Sequence, residues 1–146
     1  MAIVCQGLRV RDVMTPEVAT LRQNEKLSIA DDVMTLGRVR HLPVVDDDDR
    51  AHVVGIVTRH DLFRGSLARA LGYGAVAQQK LLGLLAVKEV MTPNPITIAP
   101  DAPLSEAARI MLERKVGCLP VVEAGKLVGI LTESDFVAMA LRSLPG

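Results

Sequence analysis

The sequence predicts an α/β fold of the α+β kind, in which two βαββα repeats pack through their sheets with approximate two-fold symmetry. Three observations carry the prediction. Val10-Arg11-Asp12-Val13-Met14-Thr15-Pro16 returns as Val87-Lys88-Glu89-Val90-Met91-Thr92-Pro93, and the spacing of 77 residues persists at Leu27 and Leu104, Met34 and Met111, and Pro43 and Pro120. It shortens to 74 at Gly55 and Gly129 because the first copy has a longer turn, and an offset kept this far marks a duplicated supersecondary unit. Within each copy the apolar pattern alternates between helical spacing and short β-branched runs. Each copy is also small, with strands apolar on both faces, so the two are expected to complete one core between them.

The elements follow in order. Thr15-Pro16 and Thr92-Pro93 break the chain before brief extended runs at 18–21 and 96–98, since a residue before proline is pushed out of the helical region. Helical spacing then appears at Leu27, Ala30, Val33, Met34 and Gly37, and again at Leu104, Ala107, Ala108 and Met111, with Pro103 suited to a first helical turn. Hairpins are expected from 42–45 with 53–57 and from 119–122 with 127–131. Helices follow from His60 to about 71 and from Ser134 to about 144, and Gly72-Tyr73-Gly74 punctuates the link to an apolar helical segment at 76–87. The repeats are thus placed at 8–71 and 87–144, with a linking helix at 72–86. The run Ile3-Val4 suits a short strand or an arm.

Composition narrows the function. The chain has 146 residues, 49% of them apolar, enough for one domain-sized unit. Lys plus Arg and Asp plus Glu are 17 each, so no charge excess recommends nucleic acid or a lipid surface as partner. Phe63, Tyr73 and Phe136 are the only rings, which supplies stacking platforms for single-stranded nucleic acid poorly. Apolar runs are too short for a membrane span. Two distant cysteines, Cys5 and Cys118, and no signal core point to a reducing cytoplasm.

The candidate site is Gly55-Ile56-Val57-Thr58-Arg59-His60-Asp61 and its near-copy Gly129-Ile130-Leu131-Thr132-Glu133-Ser134-Asp135. Each runs from a strand into a helix start, where a hydroxyl, a carboxylate and unpaired amides are expected to face one small volume. A carboxylate suits the paired hydroxyls of a sugar, and amides suit a phosphate. The same Thr-x-x-Asp pattern also serves as a helix cap, a role compatible with ligand contact. Asp46 to Asp49 lack the spaced ligands of a calcium loop, and His41, His52 and His60 lack metal-ligand spacing, so no metal site is expected. Met14, Met34, Met91 and Met111 are read as core filler, and Cys118 as a buried small residue. No nucleophile, base and orienting group come together and no P-loop occurs, so no catalytic residue is assigned.

With Val-Met-Thr-Pro at Val13 and Val90, Leu-Pro-Val-Val at Leu42 and Leu119, and Gly-Ile-(Val/Leu)-Thr-x-x-Asp at Gly55 and Gly129, the sequence resembles a stand-alone tandem pair of cystathionine β-synthase (CBS) domains, a Bateman module. The resemblance covers residues 8–142. It implies a non-catalytic regulatory module that requires no cofactor. Such a module binds AMP, ADP, ATP or S-adenosylmethionine in the cleft between repeats, acts as a homodimer and signals energy or metabolite state to a regulated protein. A ligand-free dimerisation scaffold is the alternative.

The resemblance places ribose-binding carboxylates at Asp61 and Asp135, and hydroxyls near ribose or phosphate at Thr58 and Thr132. Segments beside the adenine come from the opposite copy: residues 92–96, with Thr92 and Ile96 at the ends, serve the first site, and residues 15–19, with Thr15 and Ala19 at the ends, serve the second. Arg40, His41, Arg59 and His60 are the phosphate candidates of the first site. The second has Gly117, Cys118, Glu133 and Ser134 at those places. A phosphate beside Glu133 meets repulsion where one beside Arg59 gains a charge-assisted contact. The Asp61 site is therefore expected to prefer a phosphorylated adenosine, and the Asp135 site to be empty, weaker or suited to a less charged ligand.

Overall fold

The computed structural model of the chain describes residues 7–62, 80 and 82–144. The fold is mixed α+β. In chain order the elements are α1 (Val10–Val13), β1 (Leu21–Arg22), α2 (Leu27–Gly37), β2 (His41–Val45), β3 (Val53–Thr58), a 3-10 turn (Val87–Glu89), β4 (Thr92–Pro93), α3 (Leu104–Arg114), β5 (Cys118–Glu123), β6 (Lys126–Thr132) and α4 (Glu133–Ser143). Residues 59–62 continue β3 as helix.

These elements gather into two compact units whose boundaries cut across the sequence repeats. A central unit holds residues 19–95, and a terminal unit joins residues 1–18 to residues 96–146. Each unit therefore combines the body of one repeat with the leading segment of the other.

The central unit has a four-stranded sheet in the order β1-β2-β3-β4, with β1 parallel to β2 and the other pairs antiparallel. The terminal unit repeats this order around the β5-β6 hairpin with single bridges in the outer places: Ile98 runs parallel to Val121, and Thr15 antiparallel to Ile130. The register shifts after Val44 and again after Val121, so even the bulge is duplicated.

Each unit has its own core, completed by the borrowed segment. In the central unit, Leu27, Ala30 and Met34 of α2 are buried with Leu42, Val44 and Val57, and Val87 of the second repeat's leading segment joins them, with Val90 and Met91 packed alongside. In the terminal unit, Leu104, Ala107 and Met111 of α3 are buried with Leu119, Val121 and Leu131, together with Val10 and Val13 of the first repeat. Fully burying one such aliphatic side chain contributes about 1.5–3 kcal/mol. The periodicity located the buried faces correctly. The single shared core it suggested is replaced by two, because the leading segments supply the apolar surface that each hairpin and helix lacks.

Backbone bonds dock the borrowed segments in matching ways. The Val10 and Arg11 amides donate to the Ala102 and Pro100 carbonyls, at 3.0 and 2.9 Å, and the Val87 and Lys88 amides donate to those of Glu25 and Gln23, at 2.8 and 2.9 Å. Helices α2 and α3 each end on a left-handed residue, Arg38 (φ 53°) and Lys115 (φ 56°), whose amides donate to the Met34 and Met111 carbonyls.

Some local expectations are revised. Thr92-Pro93 is an edge strand against β3, and Thr15 bridges β6, where the sequence suggested only a break; proline is tolerated on an edge because the missing N–H would have faced outward. The extended run expected at 18–21 contributes only Leu21 to the sheet, as the first residue of β1, and Ile98 alone pairs from 96–98. Pro103 sits just before α3 as its N-cap residue rather than inside the first turn. Of the linking segment, residues 80 and 82–84 are helical and Val87–Glu89 is a 3-10 turn. Gly72-Tyr73-Gly74, the helix continuing past residue 62 and the Ile3-Val4 run lie outside the described residues.

Candidate functional sites

Each unit carries one strand-to-helix corner. In the central unit the Thr58 amide donates to Asp61 Oδ2 at 2.9 Å, and the Asp61 amide donates to Thr58 Oγ1 at 3.0 Å, a reciprocal capping box. The Arg59 amide donates to the Arg40 carbonyl at 2.8 Å. The expectation of bare amides awaiting a phosphate is thereby corrected: those of Thr58, Arg59 and Asp61 are already paired, because the cap residues and the loop before β2 reach them first. Asp61 is 7% exposed, and it is the one buried charged side chain among the described residues.

The terminal unit repeats the corner at Thr132, Glu133 and Asp135. The Thr132 amide donates to Asp135 Oδ2 at 2.8 Å, its hydroxyl lies 3.4 Å from the same oxygen, and the Glu133 amide donates to the Gly117 carbonyl at 3.3 Å. The Thr15 hydroxyl donates to Asp135 Oδ1 at 2.8 Å. A residue 120 positions away in sequence thus touches the carboxylate directly.

The borrowed Met-Thr-Pro segments press on the glycine that opens each corner. A Cβ at Gly55 would lie 2.5 Å from Met91 Sδ and 3.0 Å from the Thr92 carbonyl oxygen; at Gly129 it would lie 2.7 Å from Met14 Sδ and 2.9 Å from the Thr15 carbonyl oxygen. Glycine is required there for close backbone approach. Immediately after each Thr-Pro pair the chain turns through a left-handed residue, Glu17 (φ 55°) or its counterpart Asn94 (φ 50°). Asparagine tolerates that region and glutamate is strained in it.

Sequence reasoning assigned Met14 and Met91 to core filling and missed that they fold over Gly129 and Gly55. The available signal was the co-occurrence, in both copies, of Met-Thr-Pro with a glycine-led strand. Glu17 lies inside the 15–19 segment assigned to the second site, but its left-handed backbone was not foreseen, since one glutamate after a proline carries no pattern.

The remaining candidates are placed as follows. His41 is the cross-strand partner of Thr58, as Cys118 is of Thr132. Arg40, Arg59, His60, Thr92 and Ser134 are exposed around their corners. Arg59 Nη1 lies 4.0 Å from Asp31 Oδ1 on α2. Thr15 and Thr92 stand in the same unit as the carboxylates they were assigned to. Ala19 and Ile96 stand just beyond the two points where the chain crosses between units, so each belongs to the other unit. The buried Cys118 thiol is pushed up from 9.0 to about 12 by burial and stays protonated. Among the described residues no His, Cys, Asp and Glu side chains gather into a metal-holding group, and no helix is long and apolar enough to cross a membrane.

The CBS domain profile matches residues 10–68 and 87–141. A CBS domain-containing protein of Dictyostelium discoideum is 31% identical over 136 residues, covering 92% of each chain. The homoserine O-acetyltransferase of Methanococcoides burtonii is 35% identical over 127 residues, and the match spans only 23% of its length. Among solved structures, CBSX2 in complex with AMP has a TM-score of 0.74 at 35% identity and covers 94% of this chain and 98% of its own. The CBS domain pair of MJ0100, in complex with 5′-methylthioadenosine and S-adenosyl-L-methionine, has a TM-score of 0.73 at 28% identity, covering 94% and 98%.

Proposed function

Because the chain belongs to the CBS-domain family, with one such domain matched in each repeat, we propose that it is a regulatory module that binds an adenosine-containing ligand and catalyses no reaction. The observation that carries the reading is the duplicated frame: a Thr-x-x-Asp corner with a Thr-Pro segment of the other repeat fixed beside it. In the central unit, Asp61 takes the ribose hydroxyls, Thr58 and Thr92 line the nucleoside, and Arg40, His41, Arg59 and His60 serve its phosphate. In the terminal unit, Asp135, Thr132, Thr15 and Ser134 hold the corresponding places. Adenine nucleotides and S-adenosylmethionine are the ligand class, and relatives solved with AMP or with 5′-methylthioadenosine and S-adenosyl-L-methionine support it.

The ligand acts by favouring one arrangement of the chain, to the extent that it binds that arrangement more tightly, and a regulated protein partner reads the change. The chain works in the cytoplasm as a homodimer. Val137, Leu141 and Leu144, spaced as one face of α4 and its end, are 68%, 73% and 63% exposed, an apolar stripe suited to self-association.

The experiment is calorimetric titration with AMP of the wild type, Asp61→Asn and Asp135→Asn. Asparagine keeps an acceptor for the cap amide and removes the charge that engages the ribose. Loss of AMP binding in Asp61→Asn with an unchanged melting temperature is the expected result. Failure of every adenosine ligand to bind or to raise the wild-type melting temperature overturns the reading in favour of a ligand-free scaffold.

A further inference from the structure

The two units present matching frames with contrasting charge. The capping box, the backbone bond from the helix start to the loop before the hairpin, the glycine under a methionine and the left-handed turn after Thr-Pro recur in both. What changes is what the frame carries. Around Asp61 the equivalent places hold Arg40, His41, Arg59 and Asn94; around Asp135 they hold Gly117, Cys118, Glu133 and Glu17. Counting fully charged side chains at these places with the two aspartates, the central corner has two cations and one anion, with Asp31 of α2 beside Arg59 as a second anion, whereas the terminal corner has three anions and no cation.

The amides of Thr58 and Arg59 are paired in the same way as those of Thr132 and Glu133, so the backbone does not distinguish the two corners. Side chains therefore decide. Glu17 is two residues along from Thr15, whose hydroxyl binds Asp135, and Glu133 is two residues before Asp135 in the same helical turn. Both side chains are exposed. In the central unit Arg59 has Asp31 as its neighbour at 4.0 Å; both side chains are about half exposed, so a phosphate displaces that pairing at little cost.

We propose that the two sites sort adenosine ligands by the charge on the 5′ substituent. The central site takes phosphorylated adenosines. The terminal site takes those whose 5′ group is neutral or cationic, such as a thioether or a sulfonium. Positions 59 and 133, with 94 and 17, determine the difference. This rests on the adenosine-binding reading above and adds to it which site takes which chemistry, and by which residues.

The test is calorimetric titration of four proteins, the wild type, Arg59→Glu, Glu133→Arg and the double variant Glu17→Asn/Glu133→Arg, with AMP, 5′-methylthioadenosine and S-adenosylmethionine. All the substituted positions are exposed, and melting curves check that the variants fold. The expected wild type binds AMP at one site per chain. Arg59→Glu weakens AMP by roughly tenfold or more and leaves 5′-methylthioadenosine within about twofold, the loss of a charged contact and no more. The double variant gains a second AMP site and loses affinity for S-adenosylmethionine.

An AMP affinity untouched by Arg59→Glu, or a double variant that gains no AMP site, overturns the sorting while leaving adenosine binding in place. Wild-type protein that binds none of the three ligands overturns both.

Discussion

The central and terminal units are assembled alike and held differently. In the terminal unit the borrowed segment is clasped by charge as well as by backbone: Arg11 lies 2.5 Å from Asp101 and 3.6 Å from Glu123, and Arg9 lies 3.5 Å from Asp101. In the central unit Lys88 takes the place of Arg11, and Asn24 takes that of Asp101 and bonds instead to Asp47. The backbone bonds that dock the two segments are the same. Duplicated architecture thus resides in main-chain pairing and glycine clearance, while side-chain charge on the periphery was free to drift apart. That freedom lets one frame serve two chemistries.

The largest expected effect tests whether the units really share one frame. Gly55→Val and Gly129→Val force a side chain into backbone 3.0 and 2.9 Å away, and each should lower denaturant stability by about 2–3 kcal/mol, as overpacking does. Similar losses in both confirm equivalent clearance; a cost at one site only would show that the two segments are docked differently. Next come the caps. Thr58→Ala and Thr132→Ala each remove a cap hydroxyl and should cost about 1 kcal/mol.

The third prediction separates the units by pH. Burial raises the Cys118 thiol to about 12 in the folded chain, so between pH 9 and 12 the unfolded state loses a proton that the native state keeps. Stability from this thiol is therefore fully present below pH 9 and declines above it. Melting temperature should fall less steeply with alkaline pH in Cys118→Ala than in the wild type, and parallel slopes would exclude the thiol as the cause. Smaller still, Lys115→Gly relieves a left-handed residue and should stabilise by about 0.5–1 kcal/mol, and Arg38→Gly by a similar amount. The smallest effect belongs to the exposed clasp: Asp101→Asn should cost under about 1 kcal/mol, and less at high salt.

The duplication, both hairpins and the buried faces of α2 and α3 were legible in the sequence because local periodicity encodes them. So was the Thr-x-x-Asp pair, since capping is a short-range pattern. The exchange of leading segments was not. Val10, Val13 and Val87 are apolar whichever hairpin they cover, and nothing in their spacing names the partner. The pairing of the Arg59 amide escaped for a related reason: the Arg40 carbonyl that receives it comes from a loop whose approach depends on the folded hairpin.

The exchange also sets an order of events during synthesis. Val10 and Val13 leave the ribosome early, yet the helix and hairpin that bury them are not finished until residue 132 has emerged. The opening segment must wait, apolar side chains uncovered, while the central unit can close as soon as residue 95 is made. A nascent chain stalled between those two points would hold one finished half and one sticky, unclaimed segment, and that is the moment at which chaperone binding to this protein should peak.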